Sequence, residues 1–168
     1  MRKNLGSLSD PLTKVNEIDT KNLSKKIALT FLSEMYTIRL VEEKIAQLIL
    51  EGKVNCPCHF AIGQEAPAVG IGQNLRKTDR VFSAHRGHAH YLASGGSIEN
   101  LFAEVLGRAN GASKGMGGSM HLYGKGTSFA GSVPIVGGTV PVAVGAAHAA
   151  KMDNNGDVAI AYFGDGAC

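Results

Sequence analysis

An apolar segment near the end of the chain, DVAIAYF at residues 157–163, runs directly into Gly164-Asp165-Gly166. A nearly continuous apolar run that stops this abruptly is typical of a buried parallel strand. In open α/β sheets, ligands gather at the carboxyl ends of the strands, which is where this triplet falls. The segment therefore limits the fold to an α/β sheet and marks one position for a ligand.

The first long segment has a helical pattern. From Ser24 to Glu51 apolar residues recur at spacings of three and four, which predicts an amphipathic helix. Ser24 is a suitable N-cap for it, and Gly52 is a suitable stop. The apolar stripe consists of Ile27, Phe31, Met35, Ile38, Val41, Ile45 and Leu48.

The rest of the chain alternates between helical and extended patterns. We predict helices over residues 64–75, 98–106 and 140–152, the second of them capped by Ser97. A short strand is predicted at residues 80–84. Strands separated by helices indicate an α/β fold with a parallel sheet flanked by helices.

Residues 107–138 contain ten glycines. We consider this too many for regular structure, although glycines let a backbone approach a ligand closely. The segment is therefore predicted to be either a long functional loop or a disordered one.

Composition excludes several classes of partner. The formal net charge is +3, but the basic residues are scattered, so we expect no nucleic-acid partner. The longest apolar stretch, residues 140–150, is shorter than the roughly 20 residues that span a bilayer, so we expect no membrane span. An odd number of cysteines, three, fits a reducing cytoplasm better than a disulfide framework.

Asp165 has two interpretations when the triplet is taken alone. Asp-Gly is a common turn, and this interpretation is favoured without further context. Aspartate is also a hard oxygen ligand suited to magnesium, and flanking glycines let backbone amides reach phosphate oxygens.

Six segments in order supply that context, and together they resemble one family. They resemble the alpha subunit of the decarboxylating component of pyruvate, acetoin and branched-chain 2-oxo acid dehydrogenase complexes, from about Ile27 to Cys168. The segments are His59 with Gly63-Gln64-Glu65-Ala66, His85-Arg86-Gly87-His88, Gly115-Met116-Gly117-Gly118-Ser119-Met120-His121, Ile135-Val136-Gly137, Val140-Pro141 and Gly164-Asp165-Gly166-Ala167.

The resemblance implies a thiamin-diphosphate-binding fold, with magnesium and the cofactor at the matching segments. Asp165 would bind the metal, and the following Gly166 and Ala167 would help to hold the diphosphate. His85 and Arg86 would contact the cofactor as well, and a guanidinium is a natural phosphate clamp. The family also uses the backbone around Val136 to support the cofactor.

Histidines are the remaining candidates. The resemblance places His59 and His121 near the substrate and the thiazolium ring, where an imidazole can donate hydrogen bonds or carry a proton. His88 is either a ligand contact or a brace for its neighbours. His90 and His148 are predicted to be structural or surface residues.

Cys56 and Cys58 are separated by one residue and lack the second pair that zinc sites usually need. We therefore interpret them as reduced core thiols.

The implied function is the oxidative decarboxylation of a 2-oxo acid, with pyruvate as the leading substrate. The implied partners are a beta subunit, in an alpha2beta2 assembly, and a lipoyl-bearing acyltransferase that accepts the acyl group. Many pyruvate-type members have Tyr at the position of His85, whereas acetoin-type members often show the same His-Arg-Gly-His string. An acetoin dehydrogenase alpha subunit is therefore the alternative.

Length adds a further expectation, because the family motif continues beyond Cys168. We expect residues 1–22 to be a mobile leader and residues 23–168 to be the amino-terminal part of a truncated thiamin-diphosphate-binding domain. The chain alone is expected to be inactive, and an inactive interaction module is the non-enzymatic alternative. The sequence does not favour a dinucleotide-binding protein, since no Gly-x-Gly-x-x-Gly follows an early strand.

Overall fold

The computed structural model describes residues 23–167, in which one or two helices precede each strand. The helices are α1 (Lys25–Leu50), α2 (Glu65–Gly72), α3 (His88–Ala93), α4 (Ile98–Val105) and α5 (Thr139–Asp153). The strands are β1 (Arg80–Ser83), β2 (Phe129–Ser132) and β3 (Ala159–Ala161). The predicted leader at residues 1–22, and Cys168, lie outside the described residues. None of the described helices is both long and apolar enough to cross a bilayer.

Two helices begin where the sequence predicts. The hydroxyl of Ser24 accepts a hydrogen bond from the amide of Ile27 at the start of α1. Ser97 accepts one from the amide of Asn100 at the start of α4. Each cap satisfies a backbone donor that the first helical turn would otherwise leave unpaired. Both predicted N-caps are therefore confirmed.

β1 lies in the centre of a three-stranded sheet with the order β2-β1-β3, and it pairs in parallel with both neighbours. In the register, Val81 stands opposite Phe129 on one side and Ile160 on the other. Because all three strands run in the same direction, their carboxyl ends meet at one edge. The predicted α/β class with a parallel sheet flanked by helices is confirmed.

The main core joins this sheet to three of the helices. Val81 and Phe129 are fully buried and pack in one cluster with Ile45 of α1, Tyr91 of α3 and Leu101 of α4. The rings of Tyr91 and Phe129 meet edge to face, with centroids 5.5 Å apart. α5 packs against β1 and β3. The central strand is therefore held by packing as well as by its two ladders.

Three elements differ from the sequence predictions. α3 was not predicted, because its six residues are too few to show a helical period. α2 ends at Gly72, before the predicted limit at Leu75. β3 is only three residues long and half-buried, whereas residues 157–163 were predicted to form a buried strand. β3 is less covered because it lies at an edge of the described sheet.

The prediction that residues 107–138 lack regular structure is wrong for residues 129–132, which form β2. Phe129 supplies the buried side chain that anchors the strand. The pairing passes from Val81 and Phe129 to Phe82 and Gly131, so Ala130 is skipped. β2 is therefore bulged, and Gly131 accommodates the irregular backbone with a φ of +153°.

Glu104 of α4 organises the preceding part of the glycine-rich segment. Its side chain is 1% exposed, and its carboxylate has no cation partner among the described residues. Four backbone N–H groups donate hydrogen bonds to the carboxylate in place of water. One of them belongs to Gly115, which as a glycine tolerates the φ of +74° found there. The donors are Ser113 at 2.6 Å, Gly115 at 2.8 Å, Gly117 at 2.8 Å and Gly118 at 2.9 Å.

Replacement of Glu104 by glutamine should therefore release this segment. An amide side chain keeps one acceptor oxygen but turns an NH2 group towards backbone donors, leaving buried N–H groups unpaired. We expect Glu104→Gln to cost about 3 kcal/mol locally, which corresponds to roughly 100-fold faster hydrogen exchange at the Gly115 and Gly117 amides. Glu99→Gln, at an exposed position of the same helix, is the control and should leave that exchange unchanged. Equal protection in both variants would contradict the role of Glu104.

Candidate functional site

The carboxyl edge of the sheet collects residues from the ends of all three strands. His85 and Arg86 follow β1, Val136 follows β2, and the short turn Asp165–Ala167 follows β3. These are the residues for which the resemblance implies cofactor contacts. Their common location follows from the parallel pairing, because residues far apart in sequence leave the sheet at the same edge.

A cavity of about 440 Å³ opens between the ends of β1 and β3. Asp165 shares it with His85 and Arg86, although some 80 residues of sequence separate the two segments. The arrangement required by a shared ligand is therefore present. The lining residues are Gln64, Pro67, Ser83, Ala84, His85, Arg86, His90, Tyr162, Phe163, Gly164 and Asp165.

A larger cavity, of about 570 Å³, lies at the opposite edge, where the chain enters β1 and β2. Lys77 and Thr127 are among its lining residues, and none of the candidate residues lines it. We place the candidate site at the carboxyl edge, since strand ends and loop amides converge there.

Arg86 and His85 set the electrostatics of the cavity wall. The guanidinium of Arg86 donates a hydrogen bond to the carbonyl of Phe60, and its remaining N–H groups can serve a ligand. The pKa of His85 is lowered chiefly by burial and further by the nearby His59 and Arg86. His85 is therefore a neutral imidazole at pH 7, and Arg86 carries the positive charge.

His59 lies against this wall. Its ring packs edge-on against that of His85, with centroids 4.9 Å apart. Its Nδ1 atom is buried and has no hydrogen-bond partner among the described residues. A buried ring nitrogen in this state costs free energy, which a bound ligand could recover by bonding to it. His59 is therefore a candidate ligand contact.

The neighbouring cysteines have the character of thiols. The sulfur atoms of Cys56 and Cys58 are 3.8 Å apart, and both residues are free. Burial raises the pKa of the Cys58 thiol to about 11, so it is protonated at neutral pH. Within residues 23–167 no group of three His, Cys, Asp or Glu side chains is placed to hold a metal. The geometry fits our interpretation of reduced thiols.

His90 is a site residue that the sequence analysis did not select. Its ring stacks on Tyr162, with centroids 3.6 Å apart, and its Nδ1 lies 2.7 Å from the hydroxyl of Ser83. Burial lowers the pKa of His90 to about 4. Ser83 ends β1 and Tyr162 follows β3, so their position at strand ends was the signal that could have identified this group.

Two predicted site residues lie apart from the cavity. His121 is exposed, and its Nδ1 is 3.2 Å from the carbonyl oxygen of Gly117. The side chain of Val136 is 63% exposed. The segment that carries Val136 nevertheless approaches the turn after β3, because a Cβ at Gly137 would lie 3.4 Å from the carbonyl oxygen of Ala167.

The residues at the carboxyl edge fit a phosphate with its metal ion. Asp165 offers an exposed carboxylate, and magnesium is commonly held by one or two carboxylates together with phosphate oxygens. At Gly164 and Gly166 there is open space in the position that a Cβ would take. Phosphate oxygens can therefore approach this backbone closely, with Arg86 on the facing wall.

Fold and site together define an α/β protein with a ligand cleft at the carboxyl edge of a parallel sheet, where Arg86 and Asp165 supply opposite charges. Its sequence matches the dehydrogenase E1 component family over residues 33–168. The chain belongs to that family, which confirms the resemblance noted in the sequence.

Three relatives illustrate the similarity of this chain to known proteins. The alpha subunit of the pyruvate dehydrogenase E1 component from Rhizobium meliloti is 44% identical over 144 residues, covering 86% of this chain and 41% of that protein. The alpha subunit of acetoin:2,6-dichlorophenolindophenol oxidoreductase from Bacillus subtilis is 38% identical over 146 residues, covering 87% and 44%. The mitochondrial pyruvate dehydrogenase alpha subunit of Solanum tuberosum is 40% identical over 144 residues, covering 86% and 37%. The chain thus spans less than half the length of these relatives.

The largely covered imidazole of His90 predicts a specific pH dependence of stability. Its folded pKa of about 4 lies below the usual value near 6.5, so the unfolded chain binds the proton more readily between these values. Its contribution is complete above about pH 6.5 and is lost as the pH falls towards 4. At pH 5 we expect the free energy of unfolding to be lower by about 2 kcal/mol than at pH 7 on account of this residue.

Urea denaturation at pH 7 and pH 5 measures the effect. His90→Gln should remove about 2 kcal/mol of the difference between the two pH values. His148→Gln, which alters an exposed histidine of α5, should leave the difference as it is in the unsubstituted chain. A difference that persists in His90→Gln would show that other groups produce it.

Proposed function

We propose that this chain is the amino-terminal part of the alpha subunit of a thiamin-diphosphate-dependent 2-oxo acid dehydrogenase, with pyruvate as the substrate. The observation that carries the proposal is the shared cavity of Arg86, His85 and Asp165 at the carboxyl ends of β1 and β3. Membership of the dehydrogenase E1 component family supports it independently. The relative that is 44% identical is itself the alpha subunit of a pyruvate dehydrogenase E1 component.

Residues at the carboxyl edge would each bind a part of the diphosphate group and its magnesium ion. Arg86 would hold diphosphate oxygens through its fork of N–H donors. Asp165 would bind magnesium, and the backbone of Gly166 and Ala167 would lie against the phosphate groups. His85, being neutral, can add a hydrogen bond without a second full charge.

The chemical step would depend on the cofactor and on two histidines, His59 and His121. When bound, thiamin diphosphate supplies a carbon nucleophile and an electron sink for the loss of carbon dioxide from a 2-oxo acid. His59, whose buried Nδ1 has no partner among residues 23–167, would donate a hydrogen bond or move a proton at that atom. His121 would serve the same end, reaching the site from its exposed position within the glycine-rich segment.

Several partners belong to the proposal. A beta subunit would complete the site in an alpha2beta2 assembly, and a lipoyl-bearing acyltransferase would accept the acyl group. The exposed position of His121 supports this, since a catalytic histidine at a surface is suited to a site formed between chains. A cytoplasmic location is proposed on the two free thiols among the described cysteines.

The phosphate end can be tested with inorganic diphosphate as the probe. We expect millimolar diphosphate with Mg²⁺ to shift the NMR signals of the Arg86 side chain and of the amides of residues 164–167. Arg86→Ala should weaken binding by about 10- to 100-fold, because charge-assisted hydrogen bonds are lost. Arg108→Ala, an exposed arginine outside the cavity lining, is the matched control. Asp165→Asn should remove the gain in affinity that Mg²⁺ gives.

Two results would count against this site. One is equal binding by Arg86→Ala and Arg108→Ala. The other is a set of shifts confined to the cavity at the opposite edge, where Lys77 lies.

Acetoin is the second candidate substrate. The string His85-Arg86-Gly87-His88 and the 38% identical oxidoreductase subunit from Bacillus subtilis favour it. With the complete alpha subunit of which we propose this chain to be part, assembled with its beta subunit, reduction of 2,6-dichlorophenolindophenol can be followed with pyruvate or acetoin as the electron donor. We expect the higher kcat/KM with pyruvate, and a preference for acetoin would replace the first proposal by the second.

A further inference from the structure

Three polar side chains form a buried chain of contacts outside the cavity. They are Glu42 of α1, His88 at the start of α3, and Ser119 in the glycine-rich segment, and none is more than 1% exposed. Nε2 of His88 is 2.7 Å from the hydroxyl oxygen of Ser119, which is a hydrogen bond. Nδ1 of His88 is 3.2 Å from a carboxylate oxygen of Glu42, a close polar contact without hydrogen-bond alignment.

Glu42 also holds a fourth segment. Both of its carboxylate oxygens accept from the amide of Ala61, at 3.0 and 2.9 Å. The ring of Phe60 packs edge-on against His88, with centroids 6.1 Å apart. Glu42 and His88 therefore connect α1, the segment around residue 61 and the start of α3. Ser119 extends this connection to the glycine-rich segment.

Each contact lies two residues from a candidate site residue. Ala61 follows His59 by two positions, and His88 follows Arg86 by two. Ser119 precedes His121 by two. The three candidate residues come from separate segments of the chain, and the buried side chains link those segments directly. The proposed site depends on their mutual placement, because displacements of about 1 Å can reduce activity 100-fold.

We propose that Glu42, His88 and Ser119 are positioning residues that fix His59, Arg86 and His121 relative to one another. The inference deepens the proposed function and rests on it. None of the three lines the cavity, so they act through their neighbours and not on a ligand. This assigns His88 the bracing role that the sequence had left open.

Polar contacts suit this task better than apolar packing. Buried hydrogen bonds are directional, so those from Ala61 to Glu42 and between His88 and Ser119 allow only a narrow range of mutual geometries. Apolar side chains of similar volume would fill the space while allowing the segments to shift. A carboxylate and an imidazole also carry a desolvation cost that simple packing does not require.

The test is whether a substitution at one end of the network of Glu42, His88 and Ser119 alters residues beyond its other end. Glu42→Gln keeps an acceptor for Ala61 and removes the charge, and no described contact joins Glu42 to His121. With 15N-labelled histidine and arginine, we expect Glu42→Gln to shift the imidazole signals of His121 and the Nε signal of Arg86. Glu43→Gln, the exposed neighbour on α1, is the matched control and should shift neither.

Ser119→Ala approaches the network from its other end, and it is the milder change if Glu42→Gln fails to fold. It should shift the Arg86 signal and weaken binding of inorganic diphosphate by about 10-fold. Ser128→Ala is the control, because Ser128 is buried like Ser119 but its hydroxyl donates to the carbonyl of Ser94, outside the network. It should leave both measurements unchanged.

The proposal is overturned if the shifts stay within residues that touch the substituted side chain, or if the controls produce the same shifts. The NMR measurement needs no ligand. A chain that binds no diphosphate would therefore refute the proposed function, while the signals of Arg86 and His121 would still decide the coupling.

Discussion

The parallel pairing of β1 with both of its neighbours determines where ligand chemistry can occur in this protein. Each strand delivers its following segment to the same edge, so His85 and Arg86 meet Asp165 although they are distant in sequence. The pairing in turn depends on the buried contact between Val81 and Phe129, which fixes β2 to the central strand. An antiparallel partner would have sent one of these segments to the opposite edge.

Two buried carboxylates give order to segments that have no regular ladder. Glu104 gathers four backbone amides of the glycine-rich segment, and Glu42 gathers the amide of Ala61 and contacts His88. In both cases the donors are fixed by the fold, which offsets the cost of removing a carboxylate from water. The glycines are thus part of a specific bonding arrangement, since they allow the backbone to turn its N–H groups inward.

Local patterns predicted local structure well. Spacing and residue type predicted the caps at Ser24 and Ser97, the helical periodicity of α1 and the parallel class of the sheet. Burial that depends on contacts with residues distant in sequence could not be predicted in this way. Glu42 follows Val41 of the apolar stripe and is buried with it, but an acidic residue type gives no sign of this in the sequence. β2 is hidden among glycines, because Phe129 gains its core environment only when Val81 is beside it. His90 became a cavity residue through Ser83 and Tyr162, which come from different strands.

The charges of the cavity link the metal to the phosphate in the proposed function. Burial keeps His85 and His90 neutral at pH 7, so Arg86 is the positive group of the described lining and Asp165 is the negative one. An approaching diphosphate would gain from the guanidinium and be repelled by the carboxylate. A divalent cation held by Asp165 would reverse that repulsion, because it would then be the largest local charge and would attract phosphate oxygens. Metal and diphosphate should therefore bind cooperatively, each raising the affinity for the other by the same factor.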